Sequence, residues 1–155
     1  MSTKISIKEL CAFLNEAHKR TYAAGGKKAP PARLNSDDFE YRKGDLVYHD
    51  TYFGARDFIG EEIVYKRKTP VWGMNYYGFV LAKNSKEKQI YGFLKKALMQ
   101  EYKSLIPVRG PKIYESNAWQ YKNSPTGGLG NFSGKEEILV RKKVIYRCLY
   151  HGGFI

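Results

Sequence analysis

Glu61–Val80, EEIVYKRKTPVWGMNYYGFV, is answered without a gap by Glu136–Ile155, EEILVRKKVIYRCLYHGGFI. Glu61/Glu136, Glu62/Glu137, Ile63/Ile138, Lys68/Lys143, Gly78/Gly153 and Phe79/Phe154 are identical in this frame. Upstream, Phe58-Ile59-Gly60 answers Phe132-Ser133-Gly134, with one extra residue in the second copy. Further back, FLNEAHKRTY from Phe13 answers FLKKALMQEY from Phe93. Self-similarity at a long period, in two copies, points to one domain with a pseudo-two-fold axis and not to a solenoid. The expected halves are residues 7–82 and 86–155, each a helix followed by a small set of strands.

Ser6 and Glu9 form a capping box, and Ile7, Leu10, Cys11, Leu14 and Ala17 follow at helical spacing, so a first helix is expected to about Tyr22. Gly25-Gly26 stops it, and residues 25–38 read as an exposed loop. Strands are expected at 39–41, 46–51, 61–66 and 71–81, with a hairpin at 67–70. Residues 83–86 link the copies. Ile90, Phe93, Leu94, Ala97 and Leu98 place a second helix over 87–104. Strands near 112–115 and 118–122, a flexible PTGGLG loop at 125–130, and a hairpin of 136–142 with 144–155 complete the chain. Short turns between strands imply antiparallel pairing. The expected fold class is therefore α+β: a twisted antiparallel sheet with two helices on one face, built by pseudo-two-fold duplication.

Strand alternation assigns faces. Val71, Gly73, Asn75, Tyr77 and Phe79 share one side, and in the repeat frame Gly73 answers Cys148, small residues that suit a close helix. Trp72, Met74, Tyr76 and Val80 share the other side, with Arg147, Leu149 and His151 as counterparts. Aromatics beside a cation and an imidazole suit a planar or anionic ligand.

Net charge is +12, from 27 Lys/Arg against 15 Asp/Glu. It is uneven: residues 1–82 carry 13 basic and 10 acidic groups, residues 83–155 carry 14 and 5. Such a balance attracts polyanions and phosphate-bearing ligands. No apolar run reaches membrane-span length, and the N-terminus lacks a secretory signal, so a cytoplasmic location is expected. Cys11 and Cys148 have neither metal nor disulfide-framework spacing and read as buried free thiols.

No histidine pair has metal-ligand spacing, and there is no Walker loop, G-x-S-x-G or H-E-x-x-H. No catalytic residue, metal or cofactor is assigned. Two alternatives carry named residues. Lys66-Arg67-Lys68 and Arg141-Lys142-Lys143 fall on equivalent hairpin tips and could straddle a nucleic acid. Glu61 or Glu62 with His151 could serve a hydrolase if carboxylate and imidazole converge in one pocket.

Tyr48-His49-Asp50-Thr51-Tyr52-Phe53-Gly54, Gly60-Glu61-Glu62, the segment Pro70–Gly78 (PVWGMNYYG), Arg109-Gly110-Pro111 and Tyr150-His151-Gly152-Gly153 resemble the signature of a bacterial domain family of unknown function. Its members are often joined to a helix-turn-helix of the phage-repressor type. The resemblance implies a sensor or effector domain serving a regulator or a defence-system partner. At fold level it is also similar to effector domains of the gyrase-inhibitory-protein type, which use a groove at the pseudo-dyad. The leading expectation is a non-enzymatic domain that captures a planar, nucleotide-like anionic small molecule between its halves. The residues expected at that site are Tyr48, Asp50, Tyr52, Trp72, Asn75, Tyr76, Arg109 and His151.

Overall fold

The computed structural model describes residues 4–22, 25–83 and 87–155. Ser6 caps the first helix, α1 (Ile7–Arg20), its side chain accepting from the Glu9 amide at 3.1 Å. Four strands follow: β1 (Asp37–Lys43), β2 (Leu46–Gly54), β3 (Phe58–Lys66) and β4 (Thr69–Val80). The order then repeats, with α2 (Glu87–Leu98), β5 (Ile113–Ser116), β6 (Trp119–Gly128), β7 (Asn131–Val140) and β8 (Lys143–Phe154). Apart from Lys83, the expected linker at 83–86 lies outside the described residues.

All eight strands form one antiparallel sheet in the order β1-β2-β3-β4-β8-β7-β6-β5. The last strand of each half thus pairs with its counterpart, and the sheet reads the same outward from the β4–β8 seam. The α+β expectation is corrected here. Half of the described residues are strand and under a fifth are helix, so the sheet dominates. The difference has two sources. Segments that look like loops, Pro125–Gly128 and Asn131–Lys135, extend a long β6–β7 ladder. And α2 stops at Leu98, not near 104, because the chain after it turns back to bury Ile106, Val108 and Gly110.

Both helices cover the same face. Leu10, Phe13, Leu14 and Ala17 of α1, and Ile90, Phe93, Leu94 and Ala97 of α2, are the buried positions, the same i, i+3, i+4, i+7 stripe in each. Phe13 meets Tyr41 on β1, Tyr91 meets Phe58 and Tyr146, and Phe93 meets Tyr114 and Trp119.

The register corrects the repeat frame by one residue. Glu62 pairs with Met74 as Glu136 pairs with Cys148, and Gly60 pairs with Tyr76 as Gly134 pairs with Tyr150. Both ladders shift at the same place, between Val64 and Tyr65 and between Ile138 and Leu139. Met74, not Gly73, therefore answers Cys148, and Tyr76 answers Tyr150, not His151. A one-residue slip moves every side chain to the opposite face. The helix-covered side thus carries Trp72, Met74 and Tyr76 with Tyr146, Cys148 and Tyr150, all buried. Asn75, Tyr77, Leu149 and His151 lie on the bare side, each exposed.

Candidate functional site between the helices and the sheet

Two polar clusters occupy matching places under the helices. Each sits on the same period-two pattern: Phe58-x-Gly60-x-Glu62-x-Val64 on β3, and Phe132-x-Gly134-x-Glu136-x-Ile138 on β7. Alternation puts each glutamate in line with buried apolar side chains, so each carboxylate is carried inward. Glu62 and Glu136 are both buried. The glycine two residues earlier makes room for the tyrosine opposite. A Cβ at Gly60 would stand 2.5 Å from the Tyr76 hydroxyl, and one at Gly134 would stand 2.2 Å from the Tyr150 hydroxyl.

In the second half the cluster is complete. Arg109 holds Glu136 in a fork, Nε to Oε2 at 3.0 Å and Nη2 to Oε1 at 2.8 Å. The Tyr121 hydroxyl donates to Oε2 at 2.6 Å and the Tyr146 hydroxyl to Oε1 at 2.9 Å. Asn123, opposite Glu136 on β6, donates to the Val108 and Gly110 carbonyls and accepts from Tyr150. Two-point guanidinium binding with both remaining lone-pair directions filled is what a buried carboxylate requires.

In the first half the matching cluster is open. Asp50 stands where the other half has Asn123, directly opposite Glu62 on the neighbouring strand. Its Oδ1 accepts from the Tyr76 hydroxyl at 2.6 Å, and Oδ2 accepts no hydrogen bond among the described residues. Glu62 meets one ring nitrogen, His18 Nε2 at 2.9 Å, with the Tyr48 hydroxyl also directed at it. Burial first, then the charge of Glu62, pushes the Asp50 carboxyl up to about 7. Glu62 moves the other way. Burial opposes its ionisation, but His18 and Arg109 together hold it below the usual carboxylate range. Asp50 is thus the member of the pair that carries the proton near neutrality.

Space adjoins these groups. A chamber of about 340 Å³ has Asp50, Tyr76 and Arg109 at its floor and Tyr22, Tyr52, Phe58 and Tyr91 around it. A second space of about 470 Å³ opens between the end of α1 and residues 98–103. A neck of about 40 Å³ between His18, Asp50, Glu62 and Arg109 separates them.

Of the residues expected at the site, Tyr48, Asp50, Tyr52, Tyr76 and Arg109 border these spaces. Trp72 does not. It is fully buried beside Phe132, with Nε1 donating to the Leu129 carbonyl at 2.9 Å. Asn75 and His151 lie on the bare face in a shallow depression with Tyr77 and Leu149. That placement ends the pairing of Glu62 with His151, since the two point to opposite sides of the sheet. Glu61 shares the face of His151 but has Asn75 between them in the register and is taken by Arg33.

The basic hairpin tips do not straddle anything together. β4 and β8 run antiparallel, so the two tips lie at opposite ends of the sheet. Lys66 is bound to Glu9 and Arg67 to Asp45, while Lys68, Arg141, Lys142 and Lys143 make no ion pair among the described residues. Arg67-Lys68 and Arg141-Lys142 all have positive φ, the two-residue turn that the twist of a hairpin demands.

Sequence reasoning missed Glu136, His18, Tyr22, Phe58 and Tyr91. The glutamates had a legible signal in the F-x-G-x-E pattern. His18 had none, because its partner lies 44 residues away.

No group of three or more His, Cys, Asp or Glu among the described residues is arranged to hold a metal. No helix among them is long and apolar enough to cross a membrane. No curated protein and no solved structure matches the chain. A family model does match, over residues 50–155. The match takes in Asp50, Glu62, Arg109 and Glu136 and leaves His18 and Tyr22 outside it. By that match the chain belongs to the family described as a domain of unknown function, DUF5680.

Proposed function

We propose that the chain is a non-enzymatic binding domain that captures a planar small molecule in the chamber between α2 and the first half of the sheet. It acts as a sensor, effector or sequestering module in the cytoplasm, beside a bacterial or phage regulator or a defence-system partner, as its signature segments imply. One observation carries the reading. Asp50 is 5% exposed, and its Oδ2, which accepts no hydrogen bond among the described residues, opens onto an aromatic-walled chamber. A buried carboxylate in that state costs stability, and perturbed groups of this kind gather at functional sites. The chamber falls within the usual range for small-ligand sites, apolar walls around a few fixed polar groups.

The anionic character expected of the ligand is dropped. Arg109, the cation assigned to meet it, is committed to Glu136. An anion in the chamber would face Asp37 and Asp50 instead.

Melting of the intact chain against nucleobases, nucleotides and planar heterocycles tests the proposal. A ligand at a hundredfold its Kd stabilises the folded state by about 2.7 kcal/mol. For a chain of this size that is a rise of roughly 5–10 °C. Tyr52→Ala and Tyr91→Ala, on the chamber wall, should abolish the rise. A panel that leaves the melting temperature unchanged removes the proposal.

A further inference from the structure

The second half shows what its cluster binds. Glu136 is completed by a guanidinium that reaches in from the segment before β5, and Asn123 binds the backbone of that same segment at Val108 and Gly110. The matching segment of the first half, before β1, takes another course. Arg33 goes out to Glu61 on the bare face, and Ser36 and the Ala32 amide bind Asp38 at the sheet edge. No arginine fills the space beside Asp50 and Glu62 from the first half's own chain.

We infer, resting on the binding-domain reading above, that the ligand is an organic monocation, an amidinium or ammonium on a flat apolar body, whose head stands at Asp50 as the Arg109 guanidinium stands at Glu136.

Three further observations converge on this. Charge is the first. Asp50, Glu62 and Glu136 are buried carboxylates and Asp37 also lines the chamber, against Arg109, which Glu136 holds, and Lys95, with His18 at the edge. The walls are the second. Tyr22, Tyr52, Phe58, Tyr76 and Tyr91 present ring faces and edges around the space, and aromatic faces attract cations. The protein's own use of the walls is the third. The Lys95 ammonium from α2 sits 5.0 Å from the centre of the Tyr22 ring, and the Arg109 guanidinium 5.7 Å from that of Tyr76. The volume, about 340 Å³, admits a body of two fused rings beside the head group.

The test is an isosteric set on the intact chain at pH 8: 2-naphthamidine, 2-naphthamide and 2-naphthoate, followed by calorimetry and by melting. The amidinium should bind at least about tenfold tighter than the amide, and the carboxylate should not bind. Asp50→Asn, which places in the first half the residue that the second half already carries, should erase the preference for the amidinium and leave amide binding in place. A second measurement needs no variant. The groups facing Asp50 or its chamber are Asp37 on β1, Tyr48 and Tyr52 on β2, Glu62 on β3, Tyr76 on β4, His18 and Tyr22 from α1 and its end, Tyr91 and Lys95 on α2, and Arg109. Because Asp50 must lose its proton to hold a cation, amidinium affinity should rise about tenfold from pH 6 to pH 8 while amide affinity stays flat. Tightest binding by the amide or the carboxylate, lost in Tyr52→Ala, overturns the cation and leaves the binding domain standing. An amidinium preference that survives Asp50→Asn also overturns it. Failure of all three compounds and of the wider panel overturns both.

Discussion

Glu62 and Glu136 hold the same place in two copies of one unit, and they meet different fates. Glu136 is closed in by a guanidinium and two phenols, with an amide opposite. Glu62 has one imidazole and one phenol, Tyr48, with no guanidinium bonded to it among the described residues, and a second carboxylate stands opposite. The scaffold is shared down to the glycine beneath each tyrosine and the irregularity two residues past each glutamate. Duplication therefore leaves one cluster to hold the domain together and frees the other. The closed cluster is structural because all its polar groups are satisfied within the chain. The open one is kept at a cost in stability, as groups poised for a ligand commonly are.

Removing the plug should produce the largest effect. Arg109→Met leaves Glu136 buried with only Tyr121 and Tyr146, and losing one partner of a buried pair costs about 3–5 kcal/mol. His18→Met, the matching change at Glu62, should cost clearly less, because His18 makes a single bond and its side chain is 20% exposed. Urea denaturation of both variants at pH 7 decides it. Equal losses would mean that the two clusters carry the same structural load, and the comparison would fail.

Exchanging the residues opposite the glutamates should give effects of opposite sign. Asn123→Asp replaces the donor to Val108 and Gly110 with an acceptor and sets a carboxylate against Glu136, at about 2–4 kcal/mol. Asp50→Asn should stabilise. Between about pH 4 and 7 the unfolded chain ionises Asp50 while the folded chain keeps its proton, so wild-type stability falls as pH rises through that window. Asparagine has no such loss. The gain should be near zero at pH 4 and reach on the order of 2–4 kcal/mol by pH 8, at about 1.4 kcal/mol per pKa unit. Stabilisation by both exchanges, or by neither, would break the assignment of roles.

How far the sequence carried this reading differs from element to element. Both helices stood out because their apolar stripes are regular, and hairpins near 67–70 and 141–143 stood out because charged residues interrupt alternating runs. Identity misled the repeat frame. The letters shared at Glu61/Glu136 and Gly78/Gly153 cluster at the two ends of the stretch, yet they sit on opposite faces of the sheet. The F-x-G-x-E pattern gives the correct frame because its spacing follows the strand period. The sheet's full extent was hidden in PTGG and NFSGK, where glycine and polar residues lie in long ladders that neighbouring strands hold in place. Asp50, Tyr52 and Tyr76 could be nominated from polar and aromatic alternation. That Arg109 serves Glu136 and not a ligand could not, because 27 residues separate the partners.

The smallest effect sharpens the comparison most, because it sets the same chemical change in both halves. Tyr150→Phe removes a bond between two neutral groups, the phenol and the Asn123 amide at 2.5 Å. It should cost about 1 kcal/mol at every pH from 5 to 8. Tyr76→Phe removes the matching bond to Asp50 at 2.6 Å. At pH 5 Asp50 is protonated, the bond is neutral, and the cost should again be about 1 kcal/mol. At pH 8 the carboxylate is ionised and the phenol is its one hydrogen-bond donor among the described residues, so the cost should rise to about 2 kcal/mol. The double variant Tyr76→Phe with Asp50→Asn should be flat, which identifies Asp50 as the source of the slope. If Tyr76→Phe tracks Tyr150→Phe across the whole range, Asp50 does not change charge near neutrality, and the two halves differ in packing alone.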